Sequence, residues 1–183
     1  IDDGPQSERE WACSGTPVDC VKLAISKILP RKPDLCVSGI NHGANSSINV
    51  LYSGTMSAAV EAGVEGIPAI GFSLCDFSYS ADFEAAKEYI QKIVLESINQ
   101  NMPKGMVLNV NIPKLPKEEL KGIKVCRQAK AIWKESYEER VNPRGRTYYW
   151  LTGKFENLDK GNDTDEWALE EGYISVVPIQ YDL

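Results

Sequence analysis

Histidine is almost missing from this chain: its 183 residues include one, His42. That excludes a metal centre built on two imidazoles, and any Ser-His-Asp triad would have to run through this single ring. CxxC pairs are missing too. The five cysteines (Cys13, Cys20, Cys36, Cys75 and Cys126) are odd in number and widely spaced. Such usage argues against a disulfide framework and for a reducing cytoplasm. No apolar run approaches the roughly 20 residues needed to cross a bilayer. The acidic opening Ile1-Asp2-Asp3-Gly4 lacks the profile of a signal peptide. Basic residues are in deficit, 20 Lys and Arg against 26 Asp and Glu, for a net charge of −6. A surface that coats a nucleic acid polymer is thereby disfavoured. An anionic ligand would need local devices: backbone N–H groups, a helix terminus or a metal. Walker A, GxGxxG and GxSxG patterns are absent, as are internal repeats and low-complexity tracts.

What is present is ordinary globular chemistry, 43% hydrophobic and 25% charged. A domain of this length buries roughly 70% of its unfolded surface, enough to hold a core without staples. Thr16, Pro17 and Asp19 open a helix that runs to about Leu29. Val18, Val21, Ala24, Ile25 and Ile28 form its inner face. Asp34–Ile40 reads as a short buried strand. Ser53-Gly54-Thr55 starts a helix rich in small residues (Ala58, Ala59, Ala62) that ends at Gly66. Pro68–Leu74 is the next strand, and Ser80–Ile98 the next helix, with Phe83, Ala86, Ile90, Ile93, Val94 and Ile98 inside. Met106–Ile112 is a third strand, closed by Pro113 and Pro116. Apolar strands separated by helices predict a parallel sheet covered on both faces. After Gly122 the pattern changes to strands: Ile123–Arg127, a long hairpin over Trp133–Leu151 turning at Asn142–Arg146, and Tyr173–Gln180. Trp133, Tyr137, Tyr148, Tyr149 and Trp150 give that hairpin much aromatic surface. Either it packs on a partner subunit, or the aromatics fold back on their own domain. The expected division is 1–122 for the phosphate-binding α/β part and 123–183 for a hairpin and oligomerisation region.

Ligands of parallel sheets bind beyond the carboxyl ends of the strands. There the segment Ser38-Gly39-Ile40-Asn41-His42-Gly43-Ala44-Asn45 leads through 46–52 to the helix start at Ser53. A Gly/Asn/Ser loop delivered to a helix N-terminus suits phosphate, because glycines admit close approach and free N–H groups attract an anion. An ordinary Gly/Asn turn is the alternative. Asn41 and Asn45 offer amide oxygens to a hard divalent cation, or serve loop hydrogen bonds. His42 is a candidate general acid or base, or a bystander.

The motifs Cys13-Ser14-Gly15-Thr16-Pro17-Val18-Asp19-Cys20-Val21, Pro33–Asn45 and Tyr52-Ser53-Gly54-Thr55 resemble those of the SurE (stationary-phase survival protein) family. The resemblance continues through Gly66–Ile70, Asn109–Pro113, Pro143-Arg144-Gly145, Thr164-Asp165 and Gly172–Val176. It implies a Rossmann-like three-layer α/β/α fold with a β-rich C-terminal region. The hairpin of that region would be exchanged between subunits of a dimer or tetramer. The implied activity is that of a cytoplasmic, Mg- or Mn-dependent 5′/3′-nucleotidase acting on nucleoside monophosphates, and on short polyphosphate as well. By the same resemblance Asn41 is a metal ligand, and Ser53, Gly54, Thr55, Gly43 and Asn45 contact phosphate.

The family's other metal ligands are an Asp-Asp pair in an Asn-Asp-Asp-Gly motif and a Ser further on. Asp2-Asp3-Gly4 looks like that motif, but Gly4 stands only eleven residues before Gly15, with no strand ahead of it. Asp2 and Asp3 are therefore read as decoys. The expectation is that the first part of the domain, with three of four metal ligands, is missing from this chain, as is a C-terminal helix. Two alternatives stay open: a non-catalytic nucleotide- or anion-binding oligomer, and a serine hydrolase pairing His42 with Ser38 or Ser53.

Overall fold

The computed structural model describes residues 10–181. Thr16 caps helix α1 (Pro17–Leu23) in a full capping box with Asp19, and Pro17 occupies its first turn. A π-helical turn, Ala24–Ile28, carries the helix on toward Leu29. Then follow strand β1 (Cys36–His42), a 3-10 turn (Ser47–Tyr52) and helix α2 (Gly54–Val64). Strand β2 (Ala69–Leu74), helix α3 (Glu84–Asn99) and strand β3 (Val107–Ile112) complete the alternation expected from the pattern. Beyond them lie β4 (Ile123–Val125), β5 (Ala131–Val141), β6 (Thr147–Asn157), helix α4 (Asp165–Glu170) and β7 (Ile174–Ile179).

Five strands form one sheet in the order β1-β2-β3-β7-β4. β1, β2 and β3 are parallel, while β7 runs antiparallel to β3 and parallel to β4. The sheet thus crosses the expected division at 122/123: β4 and β7 belong to it, and only β5 and β6 stand apart as a two-stranded ribbon. A short antiparallel strand pairs as readily on its neighbours' backbone as a parallel one, and nothing in the residues of β7 discloses which partner it takes.

Alternation along the strands divides the core. Ile70, Phe72, Leu74, Val110, Ile112, Ile174 and Val176 pack with Ala86 and Ile93 of α3 on one face. On the other, Ala69 and Val107 meet Met56, Ala59 and Ala62 of α2, with Val21 and Ile25 of α1 behind. Ala168 of α4 packs on Val177 beside Cys126 on that second face. Each fully buried aliphatic or aromatic side chain contributes about 1.5–3 kcal/mol. The small residues of α2 bring it hard against the sheet: a Cβ on Gly71 would lie 2.3 Å from Met56 Sδ. Ile98, expected inside α3, is exposed instead, while its neighbour Ser97 is half-buried.

The hairpin β5–β6 pairs in register over eleven positions, from Ala131 with Asn157 to Val141 with Thr147. Trp133, Tyr137, Tyr148, Tyr149 and Trp150 are all exposed on it rather than folded back onto the sheet. At its base Arg127 bonds Asp159 through Nη1 (2.6 Å) and Asp163 through Nε (2.8 Å). Among the described residues no helix is long and apolar enough to cross a membrane.

Candidate phosphate-binding site

β1, β2 and β3 end at one edge of the sheet, and there an otherwise apolar interior carries a polar row. Asn41 lies in register with Ser73, Ser73 with Asn111, and Asn111 with Ser175 of β7. Residues in register share a face, here the face of α2 and α4. Ser73, Asn111 and Ser175 are fully buried.

The loop after β1 lies over this row and is held to it. The Asn45 N–H donates to Asn111 Oδ1 (2.7 Å) and Asn45 Nδ2 donates to Ser73 Oγ (2.7 Å). Asn109 Nδ2 donates to the Asn45 carbonyl (2.9 Å), and Asn111 Nδ2 to Asn109 Oδ1 (3.0 Å). A buried network of this kind is worth little per bond but costly to leave incomplete. Gly43 makes the turn into the loop at φ 91°, with its N–H donating to the carbonyls of Leu74 (2.8 Å) and Asp76 (3.1 Å). That positive φ favours glycine, and the exposed Phe77 ring, 2.2 Å from where a Cβ would lie, would have to move for any other residue. Ser47 follows with φ 51°. Its N–H donates to Asp165 Oδ2 (2.7 Å) and its hydroxyl to the Ala129 carbonyl (2.9 Å).

The 3-10 turn then delivers Ser53, whose Oγ caps α2 by accepting the Met56 N–H at 3.0 Å. The N–H groups of Gly54 and Thr55 have no partner among the described residues. Such orphan donors, at the positive end of the helix, favour an anion. α1 begins beside α2: Pro17 Cγ stands 3.3 Å from where a Cβ of Gly54 would be.

Asn41 donates both amide hydrogens forward along the chain, to the His42 carbonyl (3.0 Å) and the Gly43 carbonyl (2.9 Å). Its Oδ1 therefore keeps no donor among the described residues, which suits one neutral oxygen ligand of a hard cation. The described residues hold no group of three or more His, Cys, Asp or Glu able to bind a metal. Asp2 and Asp3 lie outside the described residues.

His42 is placed differently. It pairs with Leu74, on the α3 face, and its ring meets Phe83 edge-on with centroids 4.9 Å apart. Ser38 pairs with Gly71 on the opposite face, and Ser53 heads α2 on that same side. The strand pleat thus separates His42 from both serines, and a serine-hydrolase pairing has no geometric support. Asn41, Ser53, Gly54 and Thr55 are set on the α2 side. Gly43 and Asn45 spend their N–H groups on the sheet, so they shape and anchor the loop.

Three titratable groups nearby are perturbed. The Ser78 N–H and then Lys114 Nζ hold the Asp76 carboxylate down at about 2. Burial pushes the Cys75 thiol up to about 12, with Glu166 adding to the effect. Burial also raises Glu166 above the usual carboxylate range, against a hydrogen bond from Ser46. Pattern reading missed Ser73, Asn109, Asn111 and Asp165 as parts of this edge. The signal was present in the asparagines two apart in β3, which an apolar strand does not need.

The polar groups, glycine turn and helix starts are all gathered at the carboxyl ends of the strands, the place where α/β sheets of this kind take their ligands. Residues 2–135 match the family model described as Survival protein SurE. The 5′-nucleotidase SurE of Flavobacterium psychrophilum is 68% identical over 174 residues, 95% of this chain and 68% of the relative. That of Flavobacterium johnsoniae is 70% identical over 174 residues, 95% of this chain and 67% of the relative. The crystal structure of the SurE protein from Aquifex aeolicus superposes with a TM-score of 0.78 at 42% identity, covering 93% of this chain and 68% of that one. The chain belongs to the SurE family.

Proposed function

We propose that the protein is a nucleotidase that hydrolyses nucleoside 5′- and 3′-monophosphates to nucleoside and phosphate, with short polyphosphate as a further substrate. The observation that carries this is the start of α2, where Ser53 caps the helix and, among the described residues, the Gly54 and Thr55 N–H groups and the Asn41 oxygen on the same side have no partner. The names of the relatives, 5′-nucleotidase SurE, support the same reading. Ser53 spends its oxygen as a cap but keeps its hydroxyl hydrogen, so hydroxyl and amides together offer three donors to a phosphoryl group. A divalent cation, Mg²⁺ or Mn²⁺, is the cofactor of this reading, with Asn41 Oδ1 as one ligand. When bound it supplies Lewis acidity toward a phosphoryl oxygen. Asn41 is aimed by the two carbonyls that hold its amide, so its oxygen needs no reorganisation to serve.

The exposed aromatics of β5 and β6 support self-association into a dimer or tetramer with an exchanged hairpin. Five free cysteines support a cytoplasmic location. The test is release of inorganic phosphate from AMP by the intact gene product with Mn²⁺ or Mg²⁺, and after chelation. Metal-dependent release that falls on Ser53→Ala and on Asn41→Asp is the expected result. No release, or release indifferent to both substitutions, overturns the proposal. Phosphate binding without turnover points instead to an anion-sensing oligomer.

A further inference from the structure

The segment that carries the phosphate donors is fastened at two places, and the second fastening lies far along the chain. Asn45 ties its beginning to the sheet. Ser47, in the left-handed region at φ 51°, is then gripped by Asp165, the first residue of α4. Asp165 is completely buried, and both of its oxygens are in use. Oδ2 accepts the Ser47 N–H at 2.7 Å, while Oδ1 accepts the N–H groups of Ala129 (2.8 Å) and Glu166 (2.9 Å). Ala129 returns the contact, its carbonyl accepting from Ser47 Oγ at 2.9 Å. A β-turn alone does not hold a serine at positive φ without cost. The carboxylate and the Ala129 carbonyl supply what holds it here. From Ser47 a six-residue 3-10 helix leads to Ser53, so the position of the helix start depends on this grip.

We propose that Asp165 is the positioning residue of the phosphate site. It locks Ser47 and so sets where Ser53, Gly54 and Thr55 present their donors. The assignment rests on the proposed nucleotidase reading for its kinetic consequence, but not for its structural one. Asparagine at this position keeps the shape yet turns its amide NH2 toward one of the three N–H donors, so the set of bonds cannot be completed.

In the intact gene product, Asp165→Asn should raise KM for AMP by about 10- to 100-fold, the scale on which losing the outer hydrogen-bond partner of a metal ligand weakens a site, with a smaller change in kcat. Amide hydrogen exchange of the peptide spanning 43–53 should accelerate and should slow again less on adding inorganic phosphate than in the unsubstituted protein. Ser47→Ala, which keeps the amide and removes only the bond to Ala129, should move both readouts the same way by less. It also serves if Asp165→Asn does not fold. An unchanged KM together with unchanged exchange in the variant that folds overturns the assignment. Faster exchange confined to 43–53, in a protein that releases no phosphate from AMP with or without substitution, supports the grip and overturns the nucleotidase reading instead.

Discussion

Asn111 is the joint of the buried network, and its replacement tests whether that network holds the site together. Its Oδ1 takes the Asn45 N–H and its Nδ2 supplies Asn109 Oδ1. Truncation to alanine leaves one buried donor and one buried acceptor unpartnered, at about 1–3 kcal/mol each, or about 2–6 kcal/mol together. At roughly 2–4 °C per kcal/mol for a domain of this size, Tm should fall by about 4–24 °C. Aspartate separates the two bonds. Ionised, Asn111→Asp still accepts from Asn45 but sets a second acceptor against Asn109 Oδ1, whose own amide is committed to the Asn45 carbonyl. Protonated, it regains a donor. Burial raises the pKa of such a carboxyl in the folded state, so the native protein binds its proton more tightly than the unfolded chain. The stability deficit relative to the unsubstituted protein should therefore be largest at neutral pH and shrink as pH falls through that raised value. Thermal unfolding of the three proteins across pH 4–8 reads both effects. Alanine and aspartate variants within about 0.5 kcal/mol of the unsubstituted protein, or an aspartate deficit independent of pH, would refute the reasoning.

Two further outcomes follow from the same edge. His42→Ala should leave phosphate release within about twofold of the unsubstituted protein, since the ring faces Phe83 across the sheet from Ser53; a loss beyond tenfold in kcat would return it to the chemistry. Glu166→Gln should raise Tm at neutral pH. Its folded pKa lies above its unfolded one, so stability is lost as pH rises between the two values, and the difference should vanish well below the ordinary glutamate value of about 4.3. A variant no more stable than its parent at pH 7 contradicts burial as the cause.

The parallel half of the fold was readable because its physics is local. Thr16, Pro17 and Asp19 announce α1, the small residues of α2 announce close packing, and β2 and β3 are largely apolar runs between helices. Ser53-Gly54-Thr55 was likewise visible, since a capped helix start after a Gly/Asn loop is written in consecutive residues. What was not readable depends on distant partners. β7 joins β3 rather than the hairpin because of backbone pairing, and its residues fit either neighbour. Asp165 acts on Ser47 across 118 positions of chain, a relation no spacing rule encodes. His42 and Asn41 are adjacent in sequence, and only the pleat of β1 sends them to opposite faces.

The mixed order of the sheet also fixes the order in which the protein can be completed. β4 touches the sheet through β7 alone, and β7 is the last of the described strands to be made. Between the end of β3 and the start of β7 the ribosome must add about 60 residues, which at 5–20 residues per second takes roughly 3–12 s. Through that interval the outer edge of β3 is an open ladder of backbone groups. Quality control of the nascent chain therefore bears on this protein in the seconds before Ile174–Ile179 closes the edge.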